Sequence, residues 1–473
     1  MNFYFYDLET SGLNPRDSRI MQFGGQRTDM SLKPVGQPHN VLIKMTEDVL
    51  PDPYAILVTG ITPQQTIADG MTEAEFLKLF YKEIAVPDTI FVGYNTVRFD
   101  DEFMRFLLYR NFYDPYTWQY KDERSRWDLL DAVRMMRALR PEGIKWPVDS
   151  SGKPTNQLGL LTGVNNIAHD GAHDALSDVN ATIALAQLIH SKQPKLFKYL
   201  LDMRDKKRIA ELVDSDQPFV YTSGKYPSET QKTTIAVKLA SHPKRQGALV
   251  YDLRHDPEEF TKLSPEELVE AWQWKKDSTE PRLPVKTLQY NRCPAVAPLN
   301  VLDSASQKRI GLTPAAAMQN LAKLKSQKEF VERILKAVGL LDDQQALKFT
   351  GQDQPVDAQL YDGFFSDSDR RLSEQVQALP TGELSDMQPK FQDKRLKALL
   401  PLYKARNFPS SLTTAEQASW DRYCQEYVLS GGEDSRLARY FAKLEELKKQ
   451  TGSTKNQQYI LDELQLWGES LVP

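Results

Sequence analysis

Asp7-Leu8-Glu9 closes a strongly apolar N-terminal run that begins at Phe3. Residues two apart on a strand face the same side, so both carboxylates project together at the end of a strand that should be central and buried. A buried pair of like charges is costly unless a cation neutralises it; the triplet alone also fits a solvated strand end. A second stretch, Val92 to Phe103, leads from a strand through a loop into a helix that opens with Asp100-Asp101-Glu102. Acids in a first turn are also favoured by the helix dipole. A third stretch, Ala172-His173-Asp174-Ala175-Leu176-Ser177-Asp178, opens a long Ala/Leu helix and sets Asp178 in its apolar-patterned part, where a charge needs a partner.

Together these stretches supply four carboxylates, Asp7, Glu9, Asp100 and Asp178, and one histidine, His173, in the order expected of a two-metal phosphodiesterase. Magnesium takes oxygen ligands and few protein carboxylates. Two such ions activate an attacking water and stabilise the leaving oxygen, and a histidine supplies a general base that titrates near the working pH. His169 and Asp174 repeat the spacing of His173 and Asp178. The second pair is preferred because it runs directly into the helix, whereas His169 lies in the preceding Gly-containing loop.

These residues need a scaffold. Residues 1–194 alternate strand-like and helix-like segments, an α/β pattern with a mixed sheet. Strands are expected at Phe3–Leu8, Arg19–Thr28, Asn40–Met45 and Thr89–Gly93. Helices are expected at Thr72–Ile84, Asp101–Arg110, Arg126–Leu139 (basic and amphipathic) and His173–Ile189. Residues 195–349 read as a small β-barrel with inserted helices. Its strands are expected at Thr233–Leu239, Ala248–Leu253 and Val285–Tyr290, and its helices start at Ser264-Pro265 and Thr313-Pro314. Thr350 to Pro355 reads as a linker. Residues 350–473 are mainly helical, with apolar spacing over Leu396–Tyr403, Thr414–Val428 and Arg436–Lys449.

The 473 residues carry a formal net charge of −4, with 40% hydrophobic and 26% charged residues, an ordinary globular composition that leaves nucleic-acid binding undecided. The two cysteines, Cys293 and Cys424, have no metal-type spacing and argue against a disulfide framework, so a reducing cytoplasm is expected. The N-terminus lacks the pattern of a signal peptide, and no apolar stretch approaches membrane-spanning length.

Asp7-x-Glu9, Asn95 through Phe99-Asp100, and His173-x4-Asp178 resemble the three motifs of the DEDDh exonucleases, the ribonuclease H-like proofreading type. The chain is more similar still to the bacterial exodeoxyribonuclease I family. Supporting stretches are Val58–Gln64, Tyr109–Tyr116, Ser125–Asp131, Ala138–Ile144 and Asp357–Asp367, so the likeness covers nearly the whole chain. Tyr94, where the wider group often has histidine, and one extra residue between Asn95 and Phe99 both look like that narrower family. The resemblance implies an exonuclease domain (1–194), an SH3-like barrel domain (195–349) and an α-helical C-terminal domain (350–473). It implies processive 3′→5′ degradation of single-stranded DNA to 5′-mononucleotides, in DNA repair and recombination, by a cytoplasmic monomer. It also implies two Mg2+ ions, with Mn2+ as an alternative. Asp7 would bridge both metals, Glu9 and Asp178 would complete the first site, and Asp100 would hold the second. Glu9 would also lie near the terminal 3′-hydroxyl, and His173 would take the proton of the nucleophilic water. The acidic tail of the single-stranded DNA-binding protein is an implied partner, with basic residues of the second region as the place to look.

Single strands are held by cationic grooves and aromatic platforms. The segment after Asp100 offers Arg105, Arg110, Tyr113, Tyr116, Trp118, Tyr120, Arg124 and Arg126, and Arg134, Arg137 and Arg140 continue at helical spacing. These residues equally fit a core and a solvated arginine face. Family position favours Arg105, Tyr116, Tyr120 and Arg134 as substrate contacts, with Gln157 at the terminal nucleotide. Lys244-Arg245, Asn291 to Pro294 and Lys404 to Asn407 are weaker candidates. Three rival readings keep parts of this pattern: a 3′→5′ exoribonuclease, a non-catalytic single-stranded DNA-binding factor and a polymerase-dependent proofreading subunit, the last disfavoured by the two further regions.

Overall fold

The aromatic N-terminal run forms the central strand β1 (Asn2–Thr10). Tyr4, Tyr6 and Leu8 alternate onto one face, where they join Phe23, Phe76, Phe80, Phe91, Phe103 and Trp118 in a core. Period-two alternation turns Asp7 and Glu9 to the other face. In this computed structural model, residues 1–169, 171, 173–273, 281–349, 354–378, 389–450 and 454–472 are described. Strand β2 (Ile20–Thr28) pairs antiparallel with β1, β3 (His39–Leu42) antiparallel with β2, and β4 (Thr89–Gly93) parallel with β1. The sheet is therefore mixed, as expected, in the order β3-β2-β1-β4.

A further short strand, β5 (Ser125–Asp128), corrects the expected Arg126–Leu139 helix, which begins only at Leu129. The Asp128 carboxylate accepts from the Leu130 N–H at 3.0 Å and fixes the helix start there. The Thr72–Ile84 segment is an α-helix over Glu73–Leu79, opened by a Thr72/Glu75 capping box, and continues as a π turn over Phe80–Ile84.

Contacts divide the chain into two units. The first holds residues 1–125, 169–183 and 354–473, and the second holds 126–168 and 184–353. In the second, five strands form an antiparallel sheet: β6 (Phe219–Thr222), β7 (Thr233–Ser241), β8 (Gly247–Asp252), β9 (Val285–Gln289) and β10 (Ala295–Pro298), in the order β10-β6-β7-β8-β9. Its core collects Phe219, Ala248, Val250, Leu288 and Val296 with Ile209 and Val213 of a preceding helix. The short β6 and β10 escaped the sequence reading, since four residues give little alternation to detect.

The C-terminal stretch of the first unit supplies helices Lys394–Asn407, Thr414–Leu429, Arg436–Lys449 and Lys455–Ser470, mainly helical as expected, though the last was not delimited from the sequence. They share cores with the N-terminal α/β part of the unit. Leu437, Tyr440, Leu444, Leu464 and Trp467 pack with Met21, Met45, Val49 and Ile56, and Leu396, Leu399 and Tyr403 pack with Phe106, Tyr109 and Phe112. A buried ion network joins the same parts. Arg406 meets Asp48 and Asp357 at 2.6 Å each, and Arg19 meets Asp357 at 2.8 Å. Burial alone would raise the pKa of Asp357, but Arg406 and then Arg19 outweigh it and hold the carboxyl well below its usual value. The expected linker at Thr350–Pro355 falls largely on residues 350–353, outside the described residues.

Candidate active site

Asp7 and Glu9 sit at the C-terminal end of β1, where the β1–β2 register shifts between Glu9 and Thr10. Asp100 is the first residue of the Asp100–Arg110 helix, which starts where the 3-10 turn Thr96–Arg98 ends. Its two acidic neighbours are otherwise engaged. Asp101 accepts from Tyr6 Oη at 2.6 Å, and Glu102 pairs with Arg105 at 2.5 Å. Asp178 lies in the first turn of the Ala175–Lys192 helix. His173 precedes that helix in the left-handed region, at φ 70°, a conformation uncommon for a residue with a side chain and concentrated at functional sites.

The fold brings these groups together. Ligand atoms of Glu9, His173 and Asp178 lie within 4.8 Å of one another. Burial, and then the charges of Asp100, Asp178 and Asp174, push the Asp7 carboxyl well above its usual pKa. Burial, followed by Asp7, Asp178 and Asp174, pushes Glu9 up to about 9. Both shifts are the signature of carboxylates crowded without a counter-charge. A hard divalent cation, which binds oxygen donors and repays exactly that repulsion, fits this donor set.

Two positioning residues, Gly24 and Gln22, had no sequence signal. Gly24 stands opposite Asp7 in the β1–β2 register, and a Cβ there would come within 2.4 Å of the Ala175 carbonyl carbon and 2.5 Å of the Leu176 nitrogen. Only glycine lets the helix start lie this close to the sheet. Gln22, opposite Glu9, accepts from the Ala175 N–H at 3.1 Å and donates to Asp174 at 2.8 Å. Asp174 also accepts from the Ser177 N–H at 2.9 Å, so it holds the helix start. His169 is buried, with Nε2 in hydrogen-bond contact with Asp178 Oδ1.

The expected substrate contacts are dispersed. Arg105 is 8% exposed, paired with Glu102, with its guanidinium 5.6 Å from the Tyr116 ring centre. Tyr120, in the same unit, is 64% exposed. Arg134 and Gln157 belong to the second unit. Arg134 pairs with Asp131 at 2.6 Å, and Gln157 is exposed ahead of the Leu158–Val164 helix. Trp118 and Trp127 are core residues, and Arg110 and Arg137 are buried rather than a solvated face. Among the weaker candidates, Lys244 and Arg245 pair with Asp342 at 3.5 and 3.6 Å, and Arg406 is committed to the buried network.

A mixed sheet of this topology, with acids at the end of its first strand and at the heads of two helices, places the chain among the ribonuclease H-like exonucleases. Residues 4–186 match the Exonuclease family model, 204–338 the Exonuclease I SH3-like domain and 354–471 the Exonuclease I C-terminal domain. The chain belongs to the exodeoxyribonuclease I family and is a nuclease hydrolase. It is 38% identical to the exodeoxyribonuclease I of Haemophilus influenzae over 478 residues, covering 100% of this chain and 99% of the relative. It is 38% identical to that of Escherichia coli over 475 residues, covering 99% and 98%. Among solved structures it resembles E. coli exonuclease I in complex with a dA16 oligonucleotide, with a TM-score of 0.92, 37% identity and full coverage of both chains. A zinc-bound E. coli enzyme–single-stranded DNA complex matches at a TM-score of 0.92 and 38% identity, and a single-stranded DNA-binding protein/exonuclease I structure with inhibitor CFAM at 0.89 and 36%. Each covers 100% of this chain and 99% of the other. Among the described residues, no helix is long and apolar enough to cross a membrane.

Proposed function

We propose that this protein removes 5′-mononucleotides from the 3′ end of single-stranded DNA by hydrolysis, using two Mg2+ ions. The convergence of Glu9, Asp178 and His173 beside the strongly perturbed Asp7 carries this reading. Asp7, Glu9 and Asp178 would hold one cation, and Asp7 and Asp100 the other. Bound cations lower the pKa of a coordinated water and stabilise charge on the leaving oxygen. His173 is exposed beside the carboxylates, where its imidazole accepts the proton of the attacking water. Glu9 would also hold the terminal 3′-hydroxyl. Arg105, Tyr116, Tyr120, Arg134 and Gln157 are proposed to contact the strand.

The domain limits 1–194, 195–349 and 350–473 belong to the same proposal, as do processive action, a monomeric state and a cytoplasmic role in DNA repair and recombination. Binding of the single-stranded DNA-binding protein's C-terminal tail is supported by the related solved structure that includes that protein.

The deciding experiment follows 3′- and 5′-labelled single-stranded DNA, with RNA and duplex controls, for wild type and Asp7→Ala, with Mg2+ or EDTA. Stepwise 3′ shortening of single-stranded DNA, lost in both the mutant and EDTA, is expected. A preference for RNA would move the function to RNA turnover, and no metal-dependent cleavage by folded protein would leave a binding factor.

A further inference from the structure

The loop ahead of the Ala175–Lys192 helix carries two histidines, and they meet the acidic site differently. His173 is exposed, with a ring nitrogen among the ligand atoms of Glu9 and Asp178. His169 is turned inward: its side chain is 8% exposed, and its Nε2 contacts Asp178 Oδ1. The proposed base must reach a water on the open side of the site, which suits His173. A buried ring on one oxygen of a carboxylate does something else. With its proton on Nε2 it would donate to Oδ1 and restrain the carboxylate that would hold a cation. Partners of this kind around ligating carboxylates set ligand orientation, and losing one typically weakens metal binding by about 10- to 100-fold.

We infer that His169 is a positioning residue that orients Asp178 for divalent-cation binding, while His173 alone has the open position a proton acceptor needs. The inference rests on the metal reading of the site. It also accounts for the repeated His-x4-Asp spacing. Of the four residues concerned, Asp174 is engaged by Gln22 and the Ser177 N–H and holds the helix, so His169 is matched with Asp178 rather than with the aspartate five positions on.

The test is Mn2+ titration of the full-length protein by calorimetry, alongside kcat on single-stranded DNA as a function of Mn2+ concentration. The variants are His169→Ala, His169→Asn, His169→Gln and His173→Ala, with folding checked by circular dichroism. For His169→Ala, a roughly 10- to 100-fold weaker Mn2+ affinity is expected, with kcat recovering to within a few-fold of wild type at saturating metal. An amide N–H in His169→Asn or His169→Gln should restore part of the affinity. His173→Ala should keep the affinity and lose kcat at every metal concentration. Unchanged affinity in folded His169→Ala would overturn the inference, and a kcat loss there that metal cannot rescue would make His169 the proton acceptor instead. If wild type binds no Mn2+ at all, the metal reading itself fails, an outcome distinct from either.

Discussion

Asp7 and Gly24 face each other across β1 and β2, and the hydrogen that Gly24 carries in place of a side chain makes room for the Ala175–Leu176 backbone. One small residue thereby sets how near the helix bearing Asp178 comes to the strand bearing Asp7 and Glu9. Gly24→Ala would force backbone against Cβ at 2.4–2.7 Å. Overpacking of this kind costs about 1–3 kcal/mol, and the helix start must shift with Asp178. We expect a lower urea midpoint and, in protein that remains folded, a kcat reduced by at least about 10-fold, since small displacements at a reacting centre are expensive. Wild-type kcat in a folded Gly24→Ala protein would show that this spacing does not matter.

What the sequence discloses follows from the range of the interactions. Thr89–Gly93, the Asp-x-Glu at the end of β1 and the capped helix starts are written in neighbouring residues, and they were legible. Gly24 is not, because the backbone that needs its vacancy lies in a distant part of the chain. Gln22 and Asp174 are 152 positions apart, and Arg19 and Asp357 are 338 apart. Arg406 looked like a DNA-contact candidate because a cation's burial cannot be read from its neighbours. The Arg126–Leu139 pattern misled because helical periodicity continued back through residues whose backbone is a strand, and only the Asp128 cap marks the change.

Removing the C-terminal helices is expected to destabilise the first unit as a whole. Leu437, Tyr440, Leu464 and Trp467 complete a core begun by Met21, Met45 and Ile56, and each fully buried side chain of this size is worth about 1.5–3 kcal/mol. A chain ending at Gln354 should therefore be insoluble or molten, with loss of near-ultraviolet circular dichroism. A soluble, cooperatively melting truncation would refute the shared core.

The Arg19–Asp48–Asp357–Arg406 network sets the acid limit of stability. The Asp48 and Asp357 carboxyls are buried, yet Arg406 and Arg19 hold both below their usual values. A carboxyl with a depressed folded pKa stabilises fully above its unfolded value, near 4, and that stability disappears as pH falls through the folded value. Melting temperature should therefore drop below about pH 4 and be flat in this contribution above pH 5. Asp357→Asn should be destabilised at neutral pH by about 3–5 kcal/mol, because Asp48 alone then faces two buried arginine charges, and should respond less to acid. An unchanged acid profile in that variant would remove the network from the account.

Asp7→Asn should separate stability from activity. In the metal-free protein Asp7 is half-buried and crowded by Asp100, Asp178 and Asp174, so an amide in its place relieves desolvation and repulsion, and the variant should melt higher than wild type in EDTA. Saturating Mg2+ should reverse the order. A ligand that binds only the folded state stabilises it by RT ln(1 + [L]/Kd), about 2.7 kcal/mol at a hundred times Kd. Wild type should gain that increment, while Asp7→Asn should gain little and lose hydrolysis. Equal Mg2+-induced shifts in the two proteins would mean that Asp7 is not a ligand, and a variant less stable than wild type in EDTA would mean that the crowding of these carboxylates is relieved by some other group.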